Sequence, residues 1–206
     1  MFTSDSKYEA LLGKEQTVKL IKFFSEIENG KYNKEETISL MLKGIEYPIY
    51  LRCIRADMQS FVNTFIDPYL EKKPYLECTK LVIDAGANIG CTAVLFANWW
   101  PDCKIISLEP DKENFELSLK NTEKYPNVTV VNCGLWNKDV QLKIEAGQED
   151  GFVVREISVK EKDINPENLT TGVSIEQLLK KYDLSQIDFL KMNIEGSEKE
   201  VFTKNY

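Results

Sequence analysis

Four short apolar runs in this chain each give way to a polar residue. Asp84 follows Leu81-Val82-Ile83, Glu109 follows 105–108, Asn132 follows 128–131, and Asn193 follows 187–192. In an open α/β sheet the ligand lies outside the carboxyl ends of the strands, so these four residues would share one rim. Two of them are acidic. The first opens the turn Asp84-Ala85-Gly86-Ala87-Asn88-Ile89-Gly90. Gly86 and Gly90 would let backbone come close to a ligand and enter a helix tightly, and Asn88 tolerates left-handed backbone. A dinucleotide fingerprint, G-x-G-x-x-G from Gly86, would need glycine where Asn88 and Cys91 stand. That departure disfavours pyrophosphate, and with it an NAD(P)-dependent oxidoreductase, and favours a smaller nucleoside. Glu109 is placed to accept both hydroxyls of a ribose as a bidentate carboxylate, with Asp111 and Asn132 in reach of sugar or base.

The 206-residue chain contains no histidine. Any proton acceptor must therefore be a carboxylate, Lys, Tyr, Cys or a bound metal. Five cysteines (Cys53, Cys78, Cys91, Cys103, Cys133) show no C-x-x-C spacing and read as reduced, buried thiols rather than zinc ligands. A net charge of −7, from 26 basic and 33 acidic residues with no long basic tract, argues against a nucleic-acid surface. The polar start lacks signal-peptide character and no apolar run reaches membrane-spanning length, so a cytoplasmic protein with no membrane partner is expected.

The elements that must carry the rim begin at Leu81. Strand, helix, strand, helix and strand follow one another with continuous rather than alternating apolarity, which is the pattern of a doubly wound, mostly parallel sheet covered on both faces. Residues 140–144 and 152–159 read as an antiparallel hairpin around a polar turn. Ser174 would cap a helix reaching about Tyr182, and 187–192 forms a fourth core strand. Before this core lies an N-terminal extension over residues 1–78, with the core itself in 79–206. Apolar spacing over 7–28 suits one or two helices. Asn33 with Glu36 resembles a capping box for a helix to about Leu42, stopped by Gly44. Alternation over 45–53 predicts an edge strand because Pro48 cannot donate, and Asp57 would cap a short helix after it.

Residues 82–90, together with Ser107-Leu108-Glu109-Pro110-Asp111, resemble motif I and the acidic second-strand end of class I S-adenosylmethionine-dependent methyltransferases. Asp188-Phe189-Leu190-Lys191-Met192-Asn193-Ile194-Glu195-Gly196-Ser197-Glu198 resembles the signature of the FkbM family, which usually reads aspartate where Asn193 stands. Residues 47–65 are similar to that family's opening region. The resemblance implies a Rossmann-like α/β domain over 79–206 that binds S-adenosylmethionine. Asp84, Gly86, Asn88 and Gly90 would hold its amino-acid end and Glu109 its ribose. Asp111 would lie beside the sugar, and Asn132 with the 133–136 loop, including Trp136, would border the adenine. It also implies methylation of hydroxyl oxygens, with a small-molecule or saccharide acceptor. An acidic rim would favour the sulfonium cation of that cofactor.

A hydroxyl nucleophile needs a base, and Glu195 is the candidate, with Asn193 and Glu198 as orienters or as oxygen ligands of a divalent cation such as Mg²⁺. Equally, Glu195 and Glu198 could do no more than charge the first turn of the next helix. A methyltransferase sheet of this type has seven strands, and three are unaccounted for by Tyr206. The fourth strand would then lie at an edge: either the chain is a fragment of a longer protein, or another subunit or the 140–160 hairpin covers that edge. An O-methyltransferase, a catalytically impaired cofactor-binding module or fragment, and an oxidoreductase all remain open at this point.

Overall fold

The computed structural model describes residues 6–31, 33–68, 73–74, 80–146, 152–157 and 164–203. Cys78 and the polar turn over 147–151 lie outside the described residues. The chain divides into two compact units, Met1–Pro74 and Tyr75–Tyr206.

In the first unit, α1 (Ser6–Glu28) bends at Gly13, where φ is 73°, and buries Leu12, Leu20, Phe23, Phe24 and Ile27. The helix expected from Asn33 is instead a strand, β1 (Asn33–Leu40), paired antiparallel with β2 (Ile49–Cys53). The cause lies in the side chains. Ile38 and Leu40 alternate with polar neighbours and meet Leu51 and Ile49 across the pair, burying a stripe that a helix would have scattered around its axis. The Asn33 carboxamide accepts from the Glu35 amide in a local turn and caps nothing. The strand expected over 45–53 starts only at Ile49, after Pro48. Asp57 does not cap α2 (Arg55–Phe61), which begins after Ile54. Its fully buried carboxylate accepts from the Arg52 backbone amide, Nε and Nη2 at 2.8, 3.0 and 2.8 Å. A π-helical turn over Val62–Ile66 follows.

In the second unit the apolar runs do become the strands of one sheet. Four parallel strands, β3 (Leu81–Ala85), β4 (Lys104–Leu108), β5 (Val128–Val131) and β10 (Phe189–Met192), form one sheet in the order β10-β3-β4-β5. Helices α3 (Cys91–Trp99) and α4 (Lys112–Thr122) link the first three. Ile83, Ile105 and Ile106 are completely buried, each such side chain contributing about 1.5–3 kcal/mol. Leu81, Ile83, Ala85, Ile106 and Leu108 share one core with Leu178 of α5 (Ile175–Lys181) and Val201 of α6 (Glu198–Phe202). Ser174 caps α5, its hydroxyl accepting from the Gln177 amide.

A second sheet has the order β6-β9-β7-β8, from β6 (Gly134–Leu135), β7 (Val140–Ala146), β8 (Phe152–Glu156) and β9 (Leu169–Val173). The hairpin β7–β8 therefore pairs with β9 and does not cover β10. Among the described residues β10 is an edge strand of a four-stranded parallel sheet rather than the fourth of seven. An aromatic cluster backs it: Phe189 lies 5.5 Å from both Phe96 and Trp100, and Trp99 lies 5.7 Å from Trp100, between ring centroids. No described helix is long and apolar enough to cross a membrane.

Candidate functional site

The ends of β3, β4 and β10 meet around one cleft of about 660 Å³, open mouth included. Its walls are Gly86 and Asn88 after β3, Leu108 to Pro110 after β4, Asn114 of α4, Gly134 and Leu135 of β6, Val154 of β8, and Asn193 to Glu195 after β10.

Local chemistry fixes each wall. The amides of Gly86 and Ala87 both donate to the Leu108 carbonyl at 3.0 Å, which folds the turn back onto β4. Asn88 takes φ of 50° and its carboxamide oxygen accepts from the Ile89 amide at 2.7 Å. Gly86 takes φ of 74°, and a Cβ built on it would lie 2.0 Å from the Asn193 carbonyl oxygen. Only glycine lets these two strand ends touch.

Glu109 is the centre of the arrangement. It is 5% exposed, with Oε2 accepting from the Asn88 amide at 2.7 Å and Oε1 from the Asp111 amide at 2.9 Å. Burial raises its pKa from 4.5 to about 7, against the lowering effect of those two amides and of the Lys191 charge. A carboxylate has about four acceptor positions, so capacity remains for donors entering the cleft.

Asp84 is the last but one residue of β3 rather than the first of the turn. It is completely buried, paired with Lys191 of β10 at 2.9 Å, and does not line the cleft. Gly90 precedes α3 in left-handed conformation, away from the cleft walls. Asp111 caps α4 by accepting from the Asn114 amide at 2.9 Å, which carries Asn114 into the wall. Asn132 is exposed and clamps the loop after β4, donating to the Glu109 and Pro110 carbonyls. Trp136 is buried, with Nε1 donating to Glu156 Oε1 at 2.9 Å, and does not line the cleft. Asn193 and Glu195 do line it, both exposed, and Glu195 takes φ of 55°. Glu198 Oε1 accepts from the Ile194 amide and so braces the loop from Asn193. Among the described residues no three Asp, Glu or Cys side chains converge as a metal cluster.

Three features escaped the sequence. Asn114 follows from its offset of three from the capping Asp111, a legible signal. Val154 reaches the cleft because the Ser197 hydroxyl donates to its carbonyl at 3.2 Å, a contact across 43 positions with no local trace. Lys191 is a charge inside an apolar run, and its register opposite Asp84 emerges only once β10 lies beside β3.

The family described as Methyltransferase FkbM domain matches residues 84–205, more than half of the chain. Among solved structures, methyltransferase FkbM from Methylobacillus flagellatus KT is 18% identical, with a TM-score of 0.40 over 68% of this chain and 32% of that one. The chain thus spans about a third of the length of that solved relative. No curated protein matches the sequence.

Proposed function

The chain belongs to the FkbM methyltransferase family, and from that premise we propose that it binds S-adenosylmethionine in the cleft around Glu109 and transfers the methyl group to a hydroxyl oxygen of a small molecule or saccharide. The observation that carries this reading is Glu109 itself, a buried carboxylate held by two backbone amides at a cleft wall with acceptor capacity left over. A ribose diol supplies two donors to such a group. Gly86, whose backbone meets the Asn193 strand end, and Asn88 line the same cleft and supply the wall for the rest of the cofactor. When bound, that group supplies an electrophilic methyl carbon on a sulfonium, with a neutral thioether as leaving group.

The residues of the chain then have three tasks. Glu109 fixes the sugar. The carboxylates of Glu109 and Glu195 on one cleft favour the cationic form of the ligand over its neutral product. Glu195 would accept the proton of the acceptor's hydroxyl as that oxygen is methylated.

Calorimetric titration with S-adenosylhomocysteine tests the reading. Wild-type protein is expected to bind it. Glu109→Ala, which removes two hydrogen bonds to a charged group, is expected to weaken that binding about a hundredfold or more. NAD is the control and is expected not to bind. Undiminished affinity in Glu109→Ala, or tight NAD binding, overturns the assignment.

The raised pKa of Glu109 adds a pH dependence. Hydroxyl donors favour the ionised carboxylate, so affinity is expected to rise with pH through about 7 and then level off. Stability runs the opposite way. The folded protein holds a proton that the unfolded chain releases at about 4.5, so this group's contribution falls by about 3 kcal/mol as pH rises from about 4.5 through 7. Titrations and denaturant melts at pH 5.5 and 8 read both slopes, and Glu109→Gln should flatten both.

A further inference from the structure

Strands β10 and β3 run parallel with Lys191 directly opposite Asp84. The Lys191 ammonium sits 2.9 Å from Asp84 Oδ1 and donates to the Gly86 carbonyl at 2.8 Å. No other described group donates to the Asp84 carboxylate, which is completely buried. Gly86 is the residue from which the turn departs. Two residues later the Asn88 amide holds Glu109 Oε2. One ammonium therefore touches both a buried charge and the backbone that sets the cleft.

We propose that Lys191 is a positioning residue with two separable roles: it neutralises Asp84 inside the sheet, and through the Gly86 carbonyl it fixes the turn whose Asn88 amide orients Glu109 in the cleft. The first role concerns folding. The second concerns the ligand, and in that respect it rests on the cofactor reading above. A lysine suits both because its three N–H donors can serve a carboxylate and a carbonyl at once. Its side chain is 20% exposed, so water reaches it on one flank while the partner oxygen stays dry.

The two roles come apart in variants. Lys191→Met alone strands a buried carboxylate and is expected to be strongly destabilised. In Asp84→Asn/Lys191→Met both charges leave together, so the fold is expected to recover most of that stability while the Gly86 carbonyl still lacks its donor. The primary readout needs no ligand: hydrogen exchange of the Asn88 amide in the free protein. It is expected to be slow in wild type, to remain slow in Asp84→Asn, where Lys191 still holds the carbonyl, and to quicken about tenfold or more in the double variant. S-adenosylhomocysteine affinity in the double variant is expected to fall about tenfold or more, the scale on which outer supporting contacts act.

If the double variant keeps both wild-type exchange at Asn88 and wild-type affinity, Lys191 is a counter-ion only and the proposal fails. It fails equally if Asp84→Asn alone quickens exchange, a comparison that stands even if the double variant does not fold. A wild-type protein that binds no S-adenosylhomocysteine, with Asn88 exchange still quickened in the double variant, removes the cofactor reading and leaves the positioning role intact.

Discussion

Gly86→Ala is expected to abolish S-adenosylhomocysteine binding and to destabilise the Tyr75–Tyr206 unit by about 3 kcal/mol, from two sources of comparable size. The backbone at this position has φ of 74°, where an L side chain costs roughly 1–2 kcal/mol. The added Cβ would also lie 2.0 Å from the Asn193 carbonyl oxygen and 2.9 Å from its carbon. Neither atom is the end of a flexible side chain, so the strand end itself must move, at about 1–3 kcal/mol for overpacking. That movement pulls on the Asn193 amide bond to Ala85 and on the Lys191 bond to Gly86, so the cleft loses two walls together. Gly196→Ala is the matched control. It has φ of 91° but nothing within 4 Å of the added carbon, so only the conformational cost applies. Denaturant melts with calorimetric titration of both variants separate the effects, and near-normal ligand affinity in Gly86→Ala would show that the two strand ends need not touch.

Glu195→Gln is expected to lower methyl transfer about a thousandfold, within the usual range for loss of a general base, with S-adenosylhomocysteine affinity changed less than about twofold. The split follows from position. Glu195 is exposed on the β10 side of the cleft, while Glu109, the residue proposed to hold the sugar, occupies the β4 side. Its left-handed backbone, with φ of 55°, is held on one side by the Ile194–Glu198 bond and on the other by the Ser197 hydroxyl on Val154. Such backbone, imposed from both flanks, aims a side chain. Release of S-adenosylhomocysteine from S-adenosylmethionine, followed on any acceptor that the wild type methylates, reads the effect. Full turnover in the variant would remove Glu195 from the transfer step; it lies before α6, whose first turn carries Glu198 and Glu200 instead.

Glu109 is legible in the sequence because a carboxylate at the end of a buried apolar run loses hydration and must find donors there, and the structure places it at a cleft wall. Strands β3 and β4 are legible for a related reason: buried strands write their burial as unbroken apolarity. The region from Asn33 misleads because a capping-box spacing is a local signal, whereas the strand there is decided by pairing across a turn, Ile38 with Leu51 and Leu40 with Ile49. A charge ordinarily ends an apolar strand, which puts Asp84 one step too far along. Its counter-charge lies 107 positions later, and nothing near Asp84 in the sequence announces it. Val154 has no local signal at all, since a hairpin's docking partner is a property of the folded unit.

The aromatic cluster behind β10 has an optical consequence. The chain's three tryptophans, Trp99, Trp100 and Trp136, all lie in the second compact unit, and two of them pack around Phe189 or its neighbours. Indole emission therefore reports on residues 75–206 alone, while the first unit carries none and contributes to far-ultraviolet dichroism chiefly through α1. Following both signals through one melt turns the composition of the chain into a ruler for cooperativity: superimposed curves mean that the halves unfold as one, and a gap between them gives each half its own midpoint.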